Sequence, residues 1–385
     1  MKLLIWTTGN AFTPSMLYKE NYLIKAAVDN GDEIVVFANE YTCIKGKTVK
    51  VSGVENVRGY RLRRFPYQTF GNNTLTTRIR KIKGLEDEII KEKPDFIFIN
   101  CSQIYNIQNL RKIKSAIPNV RMVLDFSTKY LNSARNWTSK NILHRIIYRH
   151  WIQKALPYVE KVFYISEESK DFARDMYGIP ESLMEHNNLP GETIRPVIKK
   201  QNKEEIFERL GLKPWNTLIM YSGKIYGDKK VDRLVRAFSR NNNPDLRLLI
   251  IGEYTDEAQR DIIEPIIAED SRIIFINFVS GEELTKYVCA ADLYVQPGSI
   301  SQTCQTAVCC GTPLAFTDIP THREIYNSNG FFIDSEDDIL QVLNRISEDR
   351  SLLDDMSALS YKMAAEELDY NIIYSKILKA ARLNP

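Results

Sequence analysis

The sequence predicts an α/β protein made of two doubly wound, Rossmann-like domains facing across a cleft. Three observations predict it. Short apolar runs alternate with amphipathic segments along the chain, the alternation lapses once around Asn187–Glu192 and restarts, and Leu293–Phe316 reads as strand, loop, short helix and strand.

In order, Lys2–Thr7 is a short apolar strand running into Thr7-Thr8-Gly9-Asn10, followed by a helix over Leu17–Val28 and a strand over Glu33–Ala38. This opening lacks G-x-G-x-x-G, so it is no dinucleotide fingerprint, but Gly9 lets another molecule approach the backbone closely. Further strands are expected at Phe96–Asn100, Arg121–Asp125 and Lys161–Ile165, with basic amphipathic helices between them. Ligands of such sheets bind beyond the carboxyl ends of the strands, where Asn100 and Asp125 fall. Asp125 is a candidate for polar recognition or proton handling, and equally a cap for the next helix. After the Leu189-Pro190-Gly191-Glu192 break and the charged run Lys199–Arg209, a second series follows: strand Thr217–Ser222, loop Gly223–Lys230, helix Val231–Arg240, strands Arg247–Gly252 and Ile273–Ile276, and helix Glu282–Ala291. Helices over Asp337–Ile346, Leu352–Glu367 and Asn371–Leu383 close the chain. The last carries a stripe of Ile372, Tyr374, Ile377, Leu378 and Ala381 that would pack back on the first domain. The expected division is 1–195, 196–368 and a returning helix at 369–385.

The 385 residues exceed what one small core organises. A net charge of only +3 excludes nucleic acid as the main partner. Apolar runs are strand-sized and Met1–Trp6 is too short for a secretory signal, so a cytoplasmic protein is expected. Basic residues crowd the first third (Arg58, Arg61, Arg63, Arg64, Arg78, Arg80, Lys81, Lys83) among Phe65, Tyr67 and Phe70. That pattern fits either a solvated face beside a strand or a weak peripheral contact with anionic lipid. The six Cys lack metal or C-x-x-C spacing and read as small buried residues, and the four scattered His do not suggest zinc.

Two stretches carry chemistry. In Leu293–Phe316, Pro297-Gly298 breaks the strand, Ser299, Ser301 and Thr303 supply hydroxyls, and Ala307–Cys310 forms a helix ended by Gly311. Unpaired N–H groups, hydroxyls and the positive helix end suit a phosphate, although an ordinary strand–loop–helix has the same pattern. In Tyr221–Asp232, Lys224 and Lys229 flank a two-glycine turn after a strand, with Gly223 at the strand's end. Two ammonium groups there would neutralise a departing diphosphate, or be surface lysines in a turn. The P-loop spacing is absent.

Taken with Leu249–Glu253, Phe275–Ser280, Glu282-Glu283-Leu284, Ala290–Leu293 and Gly311-Thr312-Pro313, this series resembles the donor domain of the retaining glycosyltransferases of family 4, the glycosyl transferases group 1, which have the GT-B fold. The resemblance spans roughly Thr217–Ile333, with the Gly9 loop, Tyr164-Ile165-Ser166 and Leu189–Glu192 supporting it in the first lobe. It implies that Lys224 and Lys229 hold the donor diphosphate. It also implies that Gly252, Glu253, Phe278 and Val279 meet the nucleobase, and that Gly9 and Asn10 approach the diphosphate and acceptor. The histidine usual near Asp125 is absent. So are the family's two glutamates: Thr306 stands at the second place, and Gln302, Gln305 and Thr306 offer neutral hydrogen bonds instead. Exchanging a carboxylate contact for a neutral one costs about 1 kcal/mol.

The expected activity is therefore transfer of a glycosyl unit from a nucleoside-diphosphate sugar to an acceptor hydroxyl with retention, in bacterial surface polysaccharide synthesis. The acceptor would be lipid-linked or saccharide. Lys224, Lys229 and the helix starting near Ser301 would serve without a metal, since no Asp-x-Asp pair occurs, and without a cofactor beyond the donor itself. Diphosphate and sugar are expected on Gly9, Asn10, Gly223, Ser299, Ser301, Gln302, Thr303 and Thr306, with Lys224, Lys229 and Asp125 as the catalytic set. A nucleotide-sugar epimerase on the same fold, or a non-catalytic glycosyltransferase-like partner subunit, is the alternative.

Overall fold

The computed structural model describes residues 1–382 except 15, 45–46, 58, 131–132 and 300, so Arg58 and Leu383 lie outside the described residues. The chain forms two compact units, one of Met1–Pro14, Lys19–Asn188 and Asn371–Pro385, the other of Ser15–Tyr18 and Leu189–Tyr370.

In the first unit β1 (Lys2–Thr7) is buried from Leu3 onward on both faces, the mark of a central parallel strand. It pairs in parallel with β2 (Glu33–Asn39) on one side; β3 (Tyr41–Ile44) and β4 (Lys47–Lys50) form a small antiparallel ribbon. Then come β5 (Gly53–Val57), β6 (Tyr60–Phe65), β7 (Phe96–Asn100), β8 (Arg121–Phe126), β9 (Lys161–Tyr164) and β10 (Met184–His186). The sheet order is β10-β9-β8-β7-β1-β2-β6-β5, with only β5 antiparallel to its neighbour. The direction of winding reverses between β1 and β7, which places a crevice beyond Thr7 and Asn100.

Strand β6 changes the reading of the basic band. Period-two alternation puts Arg61 and Arg63 on one face, where the helix Leu85–Glu92 offers Glu88 and Glu92 one turn apart. Arg61 pairs with Glu92 at 2.5 Å, and Arg63 with Glu88 at 2.6 Å and Glu92 at 3.1 Å. Arg64, on the other face, is buried against Glu55 and the carbonyls of Phe12, Asn39 and Tyr41. The basic surface expected there is thus largely an internal network, because a charged strand inside a sheet must find its counter-ions within the fold.

The last helix, Tyr370–Ala380, joins the first unit from Asn371 on: Tyr374 Oη donates to Asp32 at 2.7 Å and Lys376 Nζ to the His186 carbonyl at 2.7 Å. Its buried stripe is Ile373, Tyr374, Ile377, Leu378 and Ala381; Ile372, expected inside, is 39% exposed.

The second unit holds β11 (Thr217–Ser222), β12 (Leu246–Ile251), β13 (Ile273–Ile276), β14 (Leu293–Gln296), β15 (Leu314–Phe316) and β16 (Gly330–Phe332). They are parallel, in the order β13-β12-β11-β14-β15-β16, and winding reverses between β11 and β14. At the amino end Asp292 accepts Leu218 N at 2.9 Å, Lys203 at 2.6 Å and Arg350 at 2.9 Å, anchoring β11 to β14. Cys289, Cys304, Cys309 and Cys310 are buried and reduced in this unit's core.

His144 sits inside the first unit, on the helical stretch Ser139–Tyr148, with its ring against Tyr148, Phe172 and Tyr177 and Nδ1 2.7 Å from Tyr177 Oη. Burial, with the positive charge of Arg78 and Arg80, pushes its pKa down from 6.5 to about 4. The unfolded chain then binds more protons between those values, so stability is full above pH 6.5 and falls as pH drops toward 4, by roughly 3 kcal/mol at most. Urea unfolding of His144→Gln between pH 4 and 7 is expected to lack that part of the slope; an unchanged slope would show that His144 is protonated in the fold.

Candidate active site

Both switch points are polar. In the second unit β11 ends at Ser222, and Gly223, at a φ of 142°, turns the chain while its N–H donates to Ile251 O at 3.0 Å. The loop is fastened by Tyr221 Oη to the Lys224 carbonyl at 3.0 Å and passes through a tight turn, Gly227–Lys229, into the helix Val231–Arg240. Strand β14 ends at Gln296, and Pro297-Gly298-Ser299 leads to Ser301, whose hydroxyl accepts Thr303 N at 3.2 Å and caps the helix Gln302–Cys309.

The two loops touch. A Cβ on Gly298 would lie 2.2 Å from Asp228 O and 2.7 Å from the Lys229 backbone, so only glycine permits the approach. Ser299 N then donates to Asp228 O at 3.1 Å, and Lys229 Nζ donates to Ser299 O at 2.9 Å, sharing that carbonyl with Gln296 Nε2 at 2.8 Å. Lys229 is 8% exposed, and burial lowers its pKa. Its ammonium group therefore stands at the turn that leads into a capped helix N-terminus, where the helix dipole adds positive potential. Lys224, on the same loop, is exposed, and no side chain among the described residues bonds its ammonium group.

The neutral residues of the helix are partly spoken for. Gln302 Nε2 donates to Pro190 O at 3.2 Å and Thr306 Oγ1 to Gln302 O at 3.5 Å, whereas Gln305 Oε1 is buried with no hydrogen-bond partner among the described atoms. Toward the sheet edge Gly252 packs flat on Gly223, where a Cβ would meet its carbonyl at 1.9 Å, and Ile225 N donates to Glu253 O at 2.9 Å. Phe278 projects 41% exposed just beyond β13, and Val279 packs on the core. Gly223, Gly252, Lys229, Ser299, Ser301 and Thr303 thus share one end of the sheet; Phe278 lies further along it.

In the first unit Gly9 follows β1 and lies flush on Cys101, where a Cβ would meet Sγ at 2.5 Å. Asn39 Nδ2 holds the carbonyls of Thr8 at 3.1 Å and Asn10 at 2.8 Å. A cavity of about 310 Å³ opens there, lined among others by Asn10, Arg80, Ser102, Gln103 and Asp125. Asp125, 3% exposed, is ion-paired with Lys19 from the first helix. It is therefore a carboxylate with a counter-ion, not an isolated base. Neighbouring Glu20 is buried, which raises its pKa. Among the described residues no group of three or more His, Cys, Asp or Glu side chains stands together as metal ligands would.

With this geometry in hand, residues 202–363 match the family model described as glycosyl transferases group 1. That stretch, most of the second unit, is similar to this family. The fold of the chain is GT-B, and solved structures align along almost all of it. HepE of Anabaena, solved with UDP, is 14% identical at a TM-score of 0.71, covering 99% of each chain. Sucrose-phosphate synthase of Thermosynechococcus elongatus is 14% identical at 0.73, covering 99% of this chain and 98% of that one. WaaG, a glycosyltransferase involved in lipopolysaccharide biosynthesis, is 14% identical at 0.65 over 99% and 98%. No curated protein sequence matches the chain.

Around these two switch points, sequence reasoning missed Lys19, Arg80, Ser102, Gln103 and Gln296. Only Gln296, a polar residue ending an apolar strand, left a local trace. The loop contact yields a direct check. Gly298→Ala is expected to destabilise the protein by about 1–3 kcal/mol in urea unfolding, since the methyl group meets backbone that cannot give way; a change under about 0.5 kcal/mol would mean that the loops are not packed as described.

Proposed function

We propose that the protein moves a glycosyl unit from a nucleoside-diphosphate sugar to an acceptor hydroxyl, with retention, in assembly of a bacterial surface polysaccharide. The observation that carries this is Lys229, delivered to Ser299 beside a capped helix N-terminus at the point where the second sheet reverses its winding. The solved complexes of HepE with UDP and with UDP-glucose support a nucleotide-sugar donor. In the reaction the bond from the anomeric carbon to the diphosphate breaks and a bond to the acceptor oxygen forms, while the acceptor proton leaves with the diphosphate. Lys229, the helix N–H groups and Lys224 meet the charge that develops on the diphosphate, so neither a metal nor a cofactor is assigned. Gly223, Gly252 and Glu253 border the nucleotide, with Phe278 and Val279 toward the base. Gly9 and Asn10 approach the sugar, and Asp125, held by Lys19, orients a hydroxyl.

A second reading, a glycosyltransferase-like subunit without chemistry of its own, is favoured by the helix start, where Gln302 and Thr306 are engaged inside the protein and no glutamate is present. Incubation with a panel of nucleoside-diphosphate sugars, with and without saccharide or lipid-linked acceptor, decides between them: acceptor-dependent release of diphosphate is expected, and its absence with every donor would support the second reading. In the same assay Lys229→Ala is expected to lower kcat/KM about a hundredfold and Lys224→Ala less than tenfold, since only the former is held at the turn.

No helix among the described residues is long and apolar enough to cross a membrane. A cytoplasmic enzyme in peripheral contact with the membrane is proposed instead. It is supported by Trp137, Ile142 and Ile146, which are 71%, 40% and 63% exposed beside Arg145 and Arg149. Cosedimentation with vesicles rich in phosphatidylglycerol is expected to fall at least tenfold for Trp137→Ser/Ile146→Ser, each lost apolar side chain removing about 1.5 kcal/mol or more. Equal binding of the variant would exclude this surface.

A further inference from the structure

The cavity of the first unit has a charge that the donor does not account for. Its floor is the turn after β7, where Cys101 takes a φ of 87°, a left-handed conformation that non-glycine residues rarely adopt. The turn buries Ser102 to 1% exposure, yet leaves Ser102 Oγ with no hydrogen-bond partner. It also lets the Gln103 amide reach Thr128 Oγ1 and, at 3.1 Å, Tyr177 Oη.

Arg80 forms the wall. It sits at the left-handed C-cap of the helix Asn73–Ile79, with φ 52°, so its side chain leaves the helix axis. Its Nε donates to Thr77 O at 2.9 Å and Nη1 to Cys101 Sγ at 3.7 Å, two contacts that fix the guanidinium and leave further N–H groups unused. Among the described residues no carboxylate pairs with Arg80. The one carboxylate lining the cavity, Asp125, is already neutralised by Lys19. The cavity therefore carries an uncompensated planar cation beside an unpartnered buried hydroxyl, with Asn10, Gln103 and Thr128 around them.

A fixed guanidinium with spare donors matches a carboxylate or a phosphate oxygen pair, and the hydroxyl supplies a further donor. We propose that this cavity selects a saccharide acceptor bearing an anionic group, either a uronic acid carboxylate or a sugar phosphate, which Arg80 and Ser102 bind. The inference rests on the glycosyltransferase reading, since it names the acceptor of that reaction.

The test uses the full chain and three probes in saturation-transfer and calorimetric titrations: methyl glucoside, methyl glucuronoside and glucose 1-phosphate. At least one anionic probe is expected to bind ten times more tightly than the neutral one, and the stronger of the two identifies the group. Arg80→Gln is expected to abolish the preference, Arg80→Lys to keep part of it, and Ser102→Ala to weaken it about threefold without disturbing the fold. The melting shift produced by UDP is expected to persist in all three variants. Equal binding of the neutral probe overturns the proposal, as does a preference that survives in both Arg80→Gln and Ser102→Ala. Loss of the UDP shift in parallel with anion binding also overturns it, assigning Arg80 to the donor. If neither UDP nor any other nucleoside diphosphate gives a shift with the parent protein while the anionic preference holds, the glycosyltransferase reading fails and the anion site stands.

Discussion

The contact between the loop after β11 and the loop after β14 governs the switch point of the second unit. Gly298 brings two backbones into van der Waals contact, Ser299 N and Lys229 Nζ then cross-link them, and the helix Gln302–Cys309 begins three residues after Ser299. Each part depends on the one before. Without the missing Cβ the strand ends could not be bridged, and without the bridge a buried ammonium group would have no fixed place. A charge held at low exposure by hydrogen bonds is pre-organised, so little solvent must reorganise when it meets an anion.

The two units apply one topological rule with different chemistry. In each, the strands on either side of the reversal end side by side, and backbone groups that the sheet cannot satisfy gather there. The second unit fills that position with N–H groups, small hydroxyls and a lysine. In the first it holds carbonyls tied down by Asn39 and an ion pair between Lys19 and Asp125. A surface rich in N–H donors and cations favours an anion, and one rich in fixed polar acceptors favours hydroxyls, with Arg80 as the exception that gives the first unit its own preference.

Much of the fold was legible along the chain. Strands such as Phe96–Asn100 and Thr217–Ser222 are apolar runs of parallel-sheet length, and their bounds appear unchanged in the structure. Residues Gly9, Gly298 and Ser301 announced turns and a cap by their type alone. Less legible was the strand β6, whose arginines read as surface until the acidic helix beside it appeared. The terminal helix was found, but its buried stripe was misplaced by one residue at Ile372, since a side chain's neighbours rather than its period decide which edge of a stripe goes inward.

By itself, then, the sequence determined the alternating α/β pattern, the break near Leu189, and the two loops whose composition suits an anion, because these depend on local propensity and on the periods of 2 and 3.6 residues. Only the tertiary structure decided which of two lysines five residues apart is held at the turn, that Asp125 has a lysine counter-ion 106 positions away, and that Arg80 lines a cavity rather than a surface. Those outcomes depend on backbone directions in loops and on pairings between distant segments. Such pairings become definite only when the sheet brings strand ends together, and no local pattern records them.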